Sequence, residues 1–202
     1  FCTAERQYRM PVPYGSQRPP TAQWTATASG CTILAREGEG PYITHITCGK
    51  IVDKGVTDAN NMGAAMAPAA AATLLHYLAD THAELRDFDC IYTGDLGLVG
   101  SQMLRELLAA EGLLLKNHAD CGCLLYDAGE QRVKSGGSGA GCCAAVLCAH
   151  ILPKLLRRGS RRVLFLATGA LMSQTTFLQK ESIPAIAHLV ELRSPQQKEE
   201  NG

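Results

Sequence analysis

The run Ser135-Gly136-Gly137-Ser138-Gly139-Ala140-Gly141-Cys142-Cys143 constrains this chain more than any other. It joins a short polar segment, read as a strand over Arg132 to Ser135, to a long apolar segment read as a helix from Cys142 to Arg158. Glycines permit positive φ and close backbone approach, and the first N–H groups of a following helix carry the positive end of its dipole. The junction therefore reads as a place where backbone meets an anionic ligand, with a tight turn under a closely packed helix as the alternative. It lacks the Lys-Ser/Thr ending of a phosphate loop and the spacing of a dinucleotide fingerprint, which sets nucleotides aside.

The 202 residues are 46% hydrophobic and formally uncharged overall, enough to bury a substantial core and too balanced for a nucleic-acid surface or polybasic anchor. Arg157, Arg158, Arg161 and Arg162 form the densest basic cluster and are expected as a solvated cap on a helix end. No apolar run is read as approaching the roughly 20 residues of a membrane span, and no signal-peptide pattern opens the chain, so synthesis in the cytosol is expected. Nine cysteines, an odd number, fall partly within apolar runs and fit a reducing compartment. Neither Cys121-x-Cys123 nor Cys142-Cys143 has structural zinc spacing, so no metal is expected. The stretch Phe1 to Pro20 is proline-rich, carries Arg6, Arg9 and Arg18, and reads as the middle of something longer.

Along the chain, Thr21 to Ala35 and Pro41 to Val52 read as two strands of a hairpin. Ala67-Pro68 is expected to open a helix ending near His82, with His76 and His82 on a partly exposed face. Phe88 to Thr93 reads as a strand, Ser101 to Glu111 as a helix stopped by Gly112, and Cys121 to Tyr126 as a strand. Pro153 should kink or end the regular part of its helix. Arg162 to Thr168 and Ile183 to Leu192 complete an α/β alternation with a central sheet. The loops 94–100, 135–143 and 168–174 follow strands in such a fold, and ligands bind beyond strand carboxyl ends, so these three are expected to converge on one cleft.

Eight ordered runs carry a family resemblance: Ala4-Glu5-Arg6-Gln7, Tyr14-Gly15-Ser16-Gln17-Arg18, Met66-Ala67-Pro68-Ala69-Ala70, Thr93-Gly94-Asp95-Leu96-Gly97, His118-Ala119-Asp120-Cys121-Gly122, Gly136-Gly137-Ser138-Gly139, Ala167-Thr168-Gly169-Ala170-Leu171 and Ile183-Pro184-Ala185-Ile186-Ala187-His188. Together they resemble the stage V sporulation protein AD family over nearly the whole chain. The resemblance implies a thiolase-like α/β fold of two similar halves. On that map residues 1–58 are the end of the first half, and residues 59–202 are the second half. It implies that a thiolase-like nucleophile would lie outside this chain. At the places where the synthase relatives carry a histidine and an asparagine, the chain reads Asp95-Leu96 and Gly139-Ala140. A carboxylate there repels a developing enolate oxygen, and Gly and Ala offer no side-chain donor, so an enzyme is not expected.

The function implied by the resemblance is binding of dipicolinic acid, free or as its calcium chelate, in dipicolinate passage across the spore inner membrane during sporulation and germination. The candidate ligand residues are His118, Asp120, Cys121, Gly136, Gly137, Ser138, Gly139, Asp95 and Thr168, with no catalytic residue, metal or cofactor. His118 is the leading polar contact; its alternative is a surface loop histidine paired with Asp120. Arg6, Arg9 and Arg18 line either the cleft or a subunit interface. The expected partners are dipicolinic acid, other stage V sporulation membrane proteins and, at full length, a twin subunit, without nucleic acid, with the protein peripheral on the spore inner membrane. The competing functions are a thiolase-like acyl-transfer enzyme and a ligand-free scaffold. An isolated half is expected to expose the helix around Ala69 to Leu78 and the edge of Thr21 to Ala35.

Overall fold

The computed structural model describes residues 19–131 and 133–195. Arg6, Arg9 and Arg18, and the runs quoted above from residues 1–18, lie outside them. The elements run in the order β1 (Trp24–Thr25), β2 (Tyr42–Thr47), α1 (Met62–Thr81), a 3-10 turn (Leu85–Asp87), β3 (Cys90–Thr93), α2 (Gly97–Ala110), β4 (His118–Asp120), α3 (Cys121–Leu125), β5 (Gly137–Ser138), α4 (Cys142–Val146), a π turn (Leu147–Ile151), α5 (Leu152–Leu156), β6 (Arg162–Ala170), α6 (Gln174–Leu178) and β7 (Ala185–Arg193).

A five-stranded sheet in the order β2-β7-β6-β3-β4 forms the frame, with β7 antiparallel to its neighbours and the pairs β6-β3 and β3-β4 parallel. This is an α/β fold. Alternation along β6 sorts the core into two layers, because successive side chains point to opposite faces. Leu164 and Leu166 pack with α1 and α2, through Leu74, Tyr77, Leu104 and Leu108. Val163 and Phe165 pack on the other face against Val146, Ile151 and Leu155.

The expected hairpin does not form. Tyr42–Thr47 pairs antiparallel with Ala185–Arg193, so the sheet joins elements from both sides of residue 58. The stretch read as the first strand contributes only Trp24–Thr25, which pairs parallel with Gly137–Ser138 in a separate two-stranded ladder. The glycine-rich run thus supplies a strand of its own, whereas Arg132 to Ser135 was expected to supply it.

Helix α1 starts at Met62, earlier than Ala67, because the Asn61 side chain accepts the Ala64 N–H and caps it; Pro68 then lies inside the helix. With those added residues the helix is long and apolar enough, by length and composition, to cross a membrane. Its face is nevertheless buried on the sheet, with Ala67, Ala69, Ala70, Leu74 and Tyr77 fully covered, so the expected exposure around Ala69 to Leu78 is corrected. The large apolar side chains left exposed include Ile43 and Ile46 on the edge strand β2, and Ile33 and Leu34 before it.

Two further expectations change for local reasons. Cys121 to Tyr126 is not a strand: Asp120 ends β4, and its side chain accepts the Cys123 N–H, capping the short helix Cys121–Leu125. At Pro153 the missing donor is absorbed by a π turn, in which the Leu152 N–H reaches back to the Leu147 carbonyl.

Glu191 is a carboxylate on the α1 face of β7 and is wholly buried. Arg162 Nε (2.7 Å), Arg193 Nε (2.6 Å) and His45 Nδ1 (2.9 Å) lie against it, and the Tyr77 hydroxyl donates to it. Burial pushes its carboxyl up, but hydrogen bonds from Arg162, Tyr77 and Arg193 prevail and hold it at about 2. Arg162, expected as a solvated cap, is instead this ion-pair partner and stacks 4.4 Å over Phe88. The cluster binds β2, β6, β7 and α1 together near the start of β6, away from the end of that strand where the candidate site lies.

Candidate functional site

The strand β3 ends at Thr93, and Gly94-Asp95 carries the chain over the sheet edge into α2. Asp95 is 9% exposed and makes the central contacts. Its backbone N–H donates to Thr168 Oγ1 (3.1 Å), the Thr168 hydroxyl donates to Asp95 Oδ1 (3.0 Å), and the Gly139 N–H donates to Asp95 Oδ2 (3.0 Å). One carboxylate therefore joins the loops after β3 and β5 to the end of β6, the convergence expected of the three loops. A Cβ at Gly94 would stand 2.7 Å from Thr168 Oγ1, so only glycine allows this approach.

The base of the glycine-rich loop is fixed by main chain. Trp24 and Ala26 donate to the carbonyls of Gly136 (2.8 Å) and Ser138 (2.7 Å), and Gln23 Nε2 donates to the carbonyls of Asp95 (2.8 Å) and Gly137 (3.0 Å). Gly136 adopts φ +102°, and a Cβ there would fall 2.7 Å from the Gly122 carbonyl oxygen. The loop thus lies directly on the backbone of α3. Amides expected to face a ligand have internal acceptors: Gly136 N–H goes to Val133, Cys142 N–H to the Gly139 carbonyl, and Gly139 N–H to Asp95. The long helix expected after the loop is present: α4, the π turn and α5 run on in helical backbone from Cys142 to Leu156, with the π turn as a bulge inside it. The Ser138 hydroxyl is buried and has no hydrogen-bond partner among the described residues.

A second group lies across the same Thr93–Gly97 segment. Asp120, 3% exposed, accepts from Thr93 Oγ1 (2.6 Å) and Leu96 N–H (2.9 Å) on one oxygen, and from Gly97 N–H (2.9 Å) and Cys123 N–H (3.2 Å) on the other. Burial pushes this carboxyl up while the four donors pull it down. Its lone pairs are directed at the starts of α2 and α3, which makes it the anchor of both.

His118 is not a surface loop histidine paired directly with Asp120. It sits on β4 in register with Ile91, and Thr93 lies between it and the carboxylate: His118 Nε2 is 2.9 Å from Thr93 Oγ1. The threonine proton is committed to Asp120, so the imidazole donates through Nε2–H and presents Nδ1 as a bare acceptor. Nδ1 is buried without a partner among the described residues. Burial, with the nearby Arg105 charge, lowers His118 to about 4, so the ring is neutral at neutral pH.

Cys121 is fully buried beside these groups. Burial, reinforced by Asp120, pushes its thiol up, and the same pair of causes raises Cys123 to about 12. Cys142 and Cys143 are raised by burial and then by Asp95. Among the described residues no group of three or more His, Cys, Asp or Glu is placed to hold a metal ion. Sequence reasoning missed Gln23 and Thr93. Thr93 was within reach as the residue ending a strand just before Gly94-Asp95; Gln23 was not, because its partners lie 72 and 114 residues away.

Residues 1–193 match the family model described as Stage V sporulation protein AD (SpoVAD). The chain belongs to the stage V sporulation protein AD family. Over 187 residues, 92% of its length, it is 45% identical to the stage V sporulation protein AD of Bacillus subtilis (strain 168). That match covers 55% of the Bacillus protein, so the chain spans about half the length of the relative it matches. A role in sporulation follows from the family. The SpoVAD match takes in the Asp95, Asp120 and Gly139 region whole, so the site described above lies within the family's span.

Proposed function

We propose that this SpoVAD-family chain contributes a non-enzymatic binding site for dipicolinic acid, or its calcium chelate, to a protein that serves dipicolinate passage across the spore inner membrane in sporulation and germination. The observation that supports it most directly is the meeting of Asp95, Gly139 and Thr168 at the sheet's strand ends, beside the buried Ser138 hydroxyl. Strand ends in α/β sheets are where small ligands are held. A planar dicarboxylate needs backbone amides and hydroxyls for its oxygens. The loop's Gly139 amide and the Ser138 and Thr168 hydroxyls are groups of that kind.

A binding role accords with the thiols as well. A nucleophilic cysteine works as thiolate, in surroundings that lower its pKa. Cys121, Cys123, Cys142 and Cys143 are all raised by burial, and two buried carboxylates stand near them. The neutral His118, the leading polar contact, is assigned an acceptor role toward a bound water through Nδ1.

The protein is assigned to the inner membrane surface as a peripheral member of an assembly with other stage V sporulation membrane proteins, and to a homodimer at full length. Isothermal titration of dipicolinate into the full-length protein, with and without calcium, tests the reading. Saturable heat, together with a rise in Tm, supports it. Neither heat nor stabilisation at millimolar ligand refutes it and leaves a scaffold that docks on its membrane partners, since a ligand at one hundred times its Kd adds about 2.7 kcal/mol to the folded state.

A further inference from the structure

We propose that the Asp95 carboxylate is a latch that holds the glycine-rich loop closed by occupying the Gly139 amide, a place that an incoming ligand carboxylate takes by exchange. The loop amide best placed for an anion already has one: Gly139 N–H donates to Asp95 Oδ2 at 3.0 Å. The other carboxylate oxygen is aimed by Thr168, whose hydroxyl donates to Oδ1 at 3.0 Å while accepting the Asp95 N–H at 3.1 Å. The latch therefore spans the ends of β3 and β6 and the loop after β5.

Two observations make it a side-chain latch, separate from the frame around it. The main chain on both sides is anchored independently, because Gln23 Nε2 bridges the carbonyls of Asp95 and Gly137, and the β1 ladder holds Gly136 and Ser138. Rotation of the Asp95 side chain thus frees the Gly139 amide without unseating the base of the loop. Gly139 itself has φ +102°, a conformation open to glycine, so this residue is the natural point for the loop to turn. Asp120 provides the contrast. It is buried more deeply and takes four donors, three of them backbone amides of helix starts, so it belongs to the frame.

The exchange half of this inference rests on the dicarboxylate reading of the site; the latch half does not. Asp95→Asn keeps the shape and removes the charge, so the charge-assisted bond to Gly139 weakens while the packing stays. In the full-length protein without ligand, amide hydrogen exchange at Gly139 is expected to run about tenfold faster in Asp95→Asn than in the parent, the size of one weakened charge-assisted bond. Pyridine-2,6-dicarboxylate is expected to bind the variant about tenfold more tightly, because the internal competitor is weakened and its like charge is gone. Thr168→Val, which removes the aiming hydroxyl, is expected to speed Gly139 exchange by a smaller factor and, because the same hydroxyl serves the ligand, to bring no tightening of binding.

Unchanged Gly139 exchange in Asp95→Asn overturns the latch. Parent binding with no tightening in Asp95→Asn overturns the exchange. If neither protein binds the dicarboxylate, the dipicolinate reading fails by itself, and the Gly139 exchange rate still upholds or overturns the latch.

Discussion

Replacing Asp120 with alanine removes the acceptor of four donors at once. The amides of Leu96, Gly97 and Cys123 and the Thr93 hydroxyl all point at this carboxylate, which is 3% exposed. A buried donor left unpaired costs about 1–3 kcal/mol. The threonine hydroxyl can rotate to seek another acceptor, so the three amides carry the count, and water entering the vacated space recovers part of it. The expected loss is about 3–6 kcal/mol, a large share of the roughly 5–15 kcal/mol that holds a domain folded. Asp120→Asn keeps the shape but turns an NH2 toward one pair of donors, and is expected to lose about 2–3 kcal/mol. Denaturant unfolding of parent and variants, followed by far-UV circular dichroism, gives the differences directly. A loss below about 1 kcal/mol in Asp120→Ala would refute the claim that this residue anchors α2 and α3.

Stability should also fall with acid in two steps. His118 is held at about 4 in the fold, below the 6.5 of a free histidine, so its contribution is complete above pH 6.5 and is lost as pH falls from there to about 4. Glu191, at about 2 against an ordinary 4.5, loses its contribution between pH 4.5 and about 2. Each step is expected to be worth about 1–3 kcal/mol, the Glu191 step toward the lower end because its arginine partners are partly solvated. Unfolding at a series of pH values reads both steps, and His118→Gln should erase the upper one; a flat profile from pH 7 to 4 in the parent refutes the assignment. Cysteine chemistry separates by exposure: Cys31 and Cys48 are exposed, whereas Cys121 and Cys142 are buried and raised. Native-state alkylation at pH 8, mapped by mass spectrometry, should label the first two within minutes, and rapid labelling of Cys121 would contradict a protonated, buried thiol.

Local chemistry made much of this fold legible. The strand ending at Thr93 and the end of the helix before Gly112 were readable because apolar spacing and a stopping glycine are properties of neighbours in sequence, whereas α2 starts at Gly97, inside the expected loop and ahead of Ser101. The end of α1 at His82 was readable for the same reason, and its start was not, since Pro68 looks like a first-turn residue unless the Asn61 cap is recognised. The short apolar run Cys121 to Tyr126 was read as a strand, and a capping contact from Asp120 makes it a helix. The failed hairpin has a different cause. Strands at 24 and 42 are adjacent in the chain, but each finds its partner beyond residue 130, and no local pattern encodes that choice. The candidate site divides the same way. Its loops could be placed together from fold logic, while the question of which amide meets which carboxylate was decided by contacts such as Gly139 to Asp95.

The ladder between Trp24–Thr25 and Gly137–Ser138 bears on how the protein is made. Closing so long a span costs entropy before any contact repays it, and such pairings form late. A ribosome emits the 24–26 segment long before its partner exists, so that segment waits unpaired while β3, α2 and β4 emerge. By span, the site ladder then closes after the β3 and β6 pairing and before the still longer-range β2 and β7 pairing. Pulsed hydrogen exchange during refolding should show the Trp24 and Ala26 amides gaining protection after those of β3 and β6, and simultaneous protection would argue against that order.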